Sequence, residues 1–169
     1  LGLLQAAKAL QEEILEPQMS FDEDSGSLAA ETRLAGNAKK IALMVLGTAV
    51  QKYMLALADQ QEVLINCADI IMEAYQMESA ILRAKKYAAR NGEVAAARFF
   101  DITGVFCNDA IQRIEAKAKN TIAAVAEGDE GRTLLIALKR FTKNNSPINT
   151  IAARQRIADA LIAANTYPF

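Results

Sequence analysis

The sequence predicts an all-α fold: an up-and-down helical bundle, four-helix-bundle-like, with three long helices plus two shorter ones. Apolar residues recur at helical spacing along most of the chain, and no stretch shows the period-two alternation of a half-buried strand. Gly and Pro are scarce, at 8 and 3 of 169 residues, while hydrophobic residues make up 52% and charged residues 23%. That composition suits a compact helical domain and not a disordered chain. One domain of this length buries a sizeable core without staples. Residues 1–26 read as a short N-terminal helix and an acidic linker, and residues 27–169 as the bundle domain.

The elements follow in order. Leu3, Leu4, Ala7, Leu10, Ile14 and Leu15 share helical spacing, so a first helix is predicted over about 3–16, ending before Pro17. The acidic stretch SFDEDSGS over 20–27 is an exposed linker. A second helix is predicted over about 28–58 with Ser27 as N-cap, and Gly36 and Gly47 inside it ask for a neighbouring helix at close approach. Asp59-Gln60-Gln61-Glu62 has the form of a capping box and opens a third helix that ends at Asn91-Gly92. A fourth runs over about 93–126, with Val94, Ala97, Phe100, Val105, Phe106, Ala110, Ile111, Ile114, Ala118, Ile122 and Val125 on its apolar side, and Gly128 closes it. Thr133 to Lys143 forms a shorter helix. The last runs from about Asn149 to Ala164 with Ile151, Ile157, Ala158, Leu161 and Ile162 as its apolar residues. Short connections between long helices imply antiparallel neighbours.

The third helix poses the functional question. Glu62, Asn66, Asp69, Glu73, Gln76 and Arg83 fall at steps of four and three, with Ala80 filling the gap, so they draw one polar seam. Off the seam, everything from Val63 to Met77 is apolar. Such a helix has more apolar surface than bundle neighbours cover, which predicts a domain or subunit contact over it. The seam itself is expected to be the strip that water touches. Asp69 and Glu73 are the one pair placed to hold a hard cation, but like charges at that spacing are common on solvated helices.

Several chemistries are excluded or weakened by what is present. A carboxylate-bridged di-metal bundle uses Glu-x-x-His ligands, and the chain has no histidine. Without that base, and with no GxSxG context around any serine, the usual nucleophile machinery is incomplete. No GxGxxG or GxxxxGK[ST] loop cradles phosphate. The sequence therefore assigns no catalytic, cofactor-binding or metal residue. Cys67 and Cys107 sit in apolar helical patterns and read as buried thiols of a cytoplasmic protein. A net charge of -1 gives no reason to expect nucleic acid or an anionic membrane. Lys39, Lys40, Gln51 and Lys52 break the apolar runs short of the ~18 residues a spanning helix needs. The start, LGLLQAAKAL, has neither a basic leader nor an initiator Met and reads as neither a signal peptide nor a natural N-terminus.

Three basic clusters remain: Lys39-Lys40, Arg83 to Arg90, and Arg132, Lys139, Arg140 and Lys143. The dipole of the third helix accounts for the second, and a solvated helix face for the third, which leaves phosphate or coenzyme contact there open. Arg154 and Arg156 are expected to pair with acids of neighbouring helices. Tyr53, Tyr75, Tyr87, Phe99, Phe100 and Phe106 are expected in the core.

The run LADQQEVLINCADIIMEAYQMESAILRA, the long helix with FFDITGVFCNDAIQRIEAKAKNTIAAVAEGDE, and LKRFTKNNSPINTIAARQRIADALI together resemble the extra C-terminal helical domain of very-long-chain-type acyl-CoA dehydrogenases. The resemblance covers about 27–169 and rests on helix patterns, not on catalytic signatures. It implies a parent flavoenzyme of fatty-acid β-oxidation. In it FAD takes a hydride from the β-carbon of an acyl-CoA after a glutamate removes the α-proton, and both that glutamate and the FAD contacts lie upstream of Leu1. Residues 1–26 would then be the connection from the catalytic domains. The resemblance further implies a homo-oligomeric parent whose appended domain fills space that a second dimer occupies in shorter relatives. Mitochondrial relatives bind membranes through a basic segment near here, whereas Phe21 to Gly26 is acidic, so membrane association is not expected. From the residues alone, the alternative is a freestanding four-helix-bundle interaction module that binds a partner helix.

Overall fold

Val63, Cys67, Ile70, Ala74, Met77, Ile81 and Ala84 step along the chain by four and three, and in the computed structural model all seven are buried. They form the inner face of α3 (Gln61–Asn91). The structure describes residues 2–15, 26–145 and 147–166, with the side chains of Leu3, Leu4 and Leu15 left out. Linker residues 16–25 therefore lie outside the described residues. Among those described, the other helices are α1 (Gly2–Leu15), α2 (Ala29–Tyr53), α4 (Glu93–Val125), α5 (Gly128–Thr142) and α6 (Thr150–Ala164), with a 3-10 segment Met54–Asp59 after α2 and no strand.

α2, α3 and α4 pack against one another as a triangle; α5 completes the bundle against α2 and α4, α1 lies on α2, and α6 lies along α4. α2 is the centre of this arrangement. Leu34, Ala35, Ala38, Ile41, Ala42, Met44, Val45, Gly47, Thr48 and Ala49 are all buried, because four helices approach it and the small residues let them come close. By length and composition Ala29–Asp59 is apolar enough to cross a membrane, contrary to the sequence expectation, since Lys52 is the single charge between Ile41 and Ala58. In the bundle Ile41, Met44, Val45 and Ala49 of this stretch are buried, while Met54 and Leu55 remain exposed.

Glycine marks the closest approaches. A Cβ on Gly47 would lie 2.7 Å from the Ala7 Cβ of α1, and one on Gly104 of α4 would lie 2.7 Å from the Ile148 Cδ1. Gly36 differs from expectation: it faces open space, with no atom within 4 Å of the place a Cβ would take. Gly92, at φ 87, makes the turn between α3 and α4 that a residue with a Cβ resists.

The helix starts depart most from the sequence reading. Ser27 does not cap α2. Leu28 occupies the cap with a left-handed backbone at φ 64 and no side-chain cap bond, and its own side chain is buried. The Ser27 hydroxyl instead donates to Glu93 Oε1 at 2.7 Å, joining the starts of α2 and α4. The Asp59–Glu62 capping box does not form, because Asp59 is the last residue of the 3-10 segment and Gln60 takes the cap without a side-chain bond. An N-cap must leave helical geometry, which Asp59 does not. Gly128 opens α5 instead of only closing α4, so that helix begins five residues earlier than predicted. Asn149 does cap α6, its side chain accepting from Ala152 N at 3.0 Å.

Two apolar faces are also corrected. Near its start α4 buries Ala96, while Val94 is 94% exposed and Ala97 is exposed; further along, Ala110, Ile111, Ile114, Ala118, Ile122 and Val125 are buried as expected. α6 buries Ala153 and Ala160, leaving Ile151, Leu161 and Ile162 exposed. Its two small residues let it lie flat on α4, and Arg154 to Asp109 (2.6 Å) and Arg156 to Asp101 (2.5 and 2.8 Å) hold it there. Tyr53, Phe99, Phe100 and Phe106 pack on the core, and Tyr87 stacks on Phe99 at 4.2 Å between centroids.

Gly36→Ala should raise the unfolding free energy by about 0.5–1 kcal/mol, the helix-propensity gain at an unobstructed position. Gly47→Ala should show no such gain and should loosen α1, because its methyl meets Ala7. Urea titrations of the two variants check this contrast.

Candidate functional site

Two residues of the α3 polar seam, Asp69 and Glu73, are bridged to α4. Lys117 Nζ lies 2.5 Å from Asp69 Oδ2. Arg113 donates to both oxygens of Glu73, at 2.6 and 2.9 Å, in the forked geometry that suits guanidinium and carboxylate. That hydrogen bond, ahead of the charge of Glu73, raises the Arg113 pKa above its ordinary value. The two carboxylates that could have held a cation are thus each occupied by a protein cation, and no cluster of three metal-ligating side chains exists among the described residues. The seam is a half-exposed ion-pair ladder between two helices, and each pair contributes at most about 1 kcal/mol.

The third basic cluster does not converge. Arg132 pairs with Asp129 at 3.1 Å near the start of α5, while Arg140 turns toward α1, donating to the Glu13 carbonyl at 3.4 Å and lying 5.1 Å over the Phe141 ring. Lys139 and Lys143 are exposed. In the other clusters Lys39 pairs with Glu78 at 2.5 Å, Lys40 pairs with Glu13, and Lys85 donates to Thr32 Oγ1 at 3.0 Å. An open cleft of about 730 Å³ lies where the 3-10 segment meets α3 and the end of α4. Its lining includes Asp59 and Glu62 and no Lys or Arg, so it repels phosphate. That cleft offers no fit for a dinucleotide.

Cys67 and Cys107 are free and buried. Burial pushes the Cys67 thiol up, and burial, with the Glu31 carboxylate second, pushes Cys107 up to about 12. Thiols so placed are poor nucleophiles.

What the structure leaves open is apolar. On α3, Ile65, Ile71, Met72, Tyr75 and Leu82 face outward, Tyr75 being 70% exposed against the core position expected for it. Met54 and Leu55 of the 3-10 segment are also exposed. The candidate functional surface is therefore the outer side of α3, as its all-round apolar composition predicts.

Residues 37–140 match the family described as acyl-CoA dehydrogenase, C-terminal domain. The chain is a member of that family. It is 40% identical over 167 residues to a probable acyl-CoA dehydrogenase of Bacillus subtilis (strain 168), covering 99% of this chain and 28% of that protein. It is also similar to the crystal structure of an acyl-CoA dehydrogenase complexed with FAD from Bacillus anthracis, with a TM-score of 0.94 and 41% identity over 100% of this chain and 28% of that one. The chain spans 28% of the length of each of these relatives.

If the α3–α4 seam is an ion-pair ladder, a Glu73→Ala and Arg113→Ala double-mutant cycle should give a coupling of about 1 kcal/mol or less. Thermal melts should not move with chelator or added magnesium. The thiols should stay silent to Ellman's reagent until the chain unfolds. Because the folded Cys107 pKa lies above its ordinary 9.0, its contribution is complete below pH 9 and is lost as pH rises toward about 12. Unfolding free energies measured from pH 8 upward should fall, and less so in a Cys107→Ala background.

Proposed function

We propose that this chain is the C-terminal, non-catalytic domain of a cytoplasmic, FAD-dependent acyl-CoA dehydrogenase of fatty-acid β-oxidation, of the very-long-chain type, and that its work is domain packing and assembly. The observation that carries this reading is the match of the whole chain, at a TM-score of 0.94, to 28% of an FAD-bound enzyme. FAD, when bound by the parent protein, supplies the hydride acceptor for oxidation of an acyl-CoA thioester. Nothing in this chain is assigned to that step. The acidic cleft, the dispersed basic residues and the buried thiols suit neither a dinucleotide nor a thioester.

In this reading the chain's residues act mechanically. They build a rigid bundle and present an apolar side to neighbouring polypeptide of a homo-oligomeric enzyme. A freestanding module that binds a separate partner helix is not favoured, since each relative carries the domain within a chain of which it is 28%.

Expression of the complete gene product beside this chain tests the proposal. The complete protein should purify with an oxidised flavin spectrum that acyl-CoA bleaches without oxygen, while the 169-residue chain should purify colourless. A complete product free of flavin, or a 169-residue chain that retains FAD, would overturn it.

A further inference from the structure

Asn91 ends α3, Gly92 makes the turn into α4, and both residues are exposed. This is also the only place in the chain where asparagine precedes glycine. The pair has a chemistry of its own. A backbone nitrogen that follows asparagine can attack the side-chain amide carbon, and glycine, with no Cβ, hinders that approach least. Elsewhere the fold forbids it: Asn37, Asn66, Asn108 and Asn120 lie inside helices, where the following nitrogen is held by turns on both sides.

At Asn91 two hydrogen bonds restrain the attack. Gly92 N–H, the nucleophile, donates to the Ala88 carbonyl at 2.8 Å, and Asn91 Nδ2 donates to the Tyr87 carbonyl at 3.0 Å. Both groups are turned back along α3. These are bonds of an exposed helix end, the part of a helix that opens at least cost.

We propose that Asn91 is a deamidation site gated by fraying of the last turn of α3. Once the two bonds open, the Gly92 nitrogen gives its proton to solvent base and bonds to Asn91 Cγ; the Cγ–Nδ2 bond breaks and the amide nitrogen leaves as ammonia. Water then opens the succinimide at either carbonyl, leaving aspartate or isoaspartate at position 91. No oxidant or reductant takes part. The product is misplaced in this fold. It sets a negative charge at the C-terminal end of α3, where the helix dipole disfavours one, two residues from the Glu93 carboxylate that accepts from Ser27. Isoaspartate also lengthens the backbone of a turn that Gly92 makes at φ 87. Deamidation therefore loosens the α3–α4 connection as the protein ages.

The test is peptide mapping by mass spectrometry of the complete protein during incubation in mildly alkaline buffer, beside the same protein unfolded in guanidinium and an Asn91→Gln variant. Position 91 should yield two products of equal mass, at a rate ~10–100-fold below that of the unfolded chain, the factor for opening two hydrogen bonds. The Asn91→Gln variant should show neither product. Deuterium exchange at Gly92 N–H should be slowed by the same factor within about threefold, since one opening frees both reactions. Conversion at the unfolded rate, or none detected while the unfolded protein converts, would overturn the proposal. So would aspartate as the sole product, which marks direct hydrolysis, or a Gly92 exchange that does not track the conversion.

Discussion

The fold depends on burying α2 from several sides at once. Along α2, Ile41, Met44 and Val45 are buried among the small residues Ala35, Ala38, Ala42 and Ala49. Four other helices pack on it. Its small residues set how close they come, most visibly where Gly47 meets Ala7. The burial of the α3 heptad and of Leu134, Leu138 and Phe141 on α5 follows from this arrangement. Removing buried volume from such a centre costs about 2–5 kcal/mol per large side chain, far more than any surface ion pair here contributes.

With the inner faces committed to α2, the outer faces are free to differ. α4 carries charges that reach both ways, Arg113 and Lys117 toward α3 and Asp101 and Asp109 toward α6. α3 carries apolar residues outward instead. A helix buried on its inner side and apolar on its outer side is stable in the bundle and incomplete outside a larger body. That asymmetry links the packing to the proposed role in a dehydrogenase in which the chemistry is done by other residues.

Much of this was legible in the sequence, and what was not has identifiable causes. Asn91-Gly92 gave the end of α3 and Asn149 the start of α6, since each is a local signal that no tertiary contact opposes, whereas the inner face of α3 was hidden by apolar residues on all sides of the seam. Helix starts governed by tertiary contacts were missed. Burying Leu28 outweighed Ser27 as a cap, and the 3-10 turn held Asp59 in helical geometry. The polar seam was recognised but its destination was not, because periodicity places residues on a face without saying which cation stands opposite. Gly36 invited a contact that the bundle does not supply. The absence of a catalytic motif was plain from the outset, so function was legible only through resemblance and through the surplus of apolar surface on α3.

The account stands or falls on whether that surplus belongs to the bundle or to what surrounds it. The most direct measurement is the unfolding stability of Tyr75→Glu in two settings, the 169-residue chain and the complete protein. The account predicts a change within about 0.5 kcal/mol in the chain, as for any exposed substitution, and a clear loss in the complete protein. A loss in the chain as large as that from Met77→Glu, a fully buried position, would contradict it.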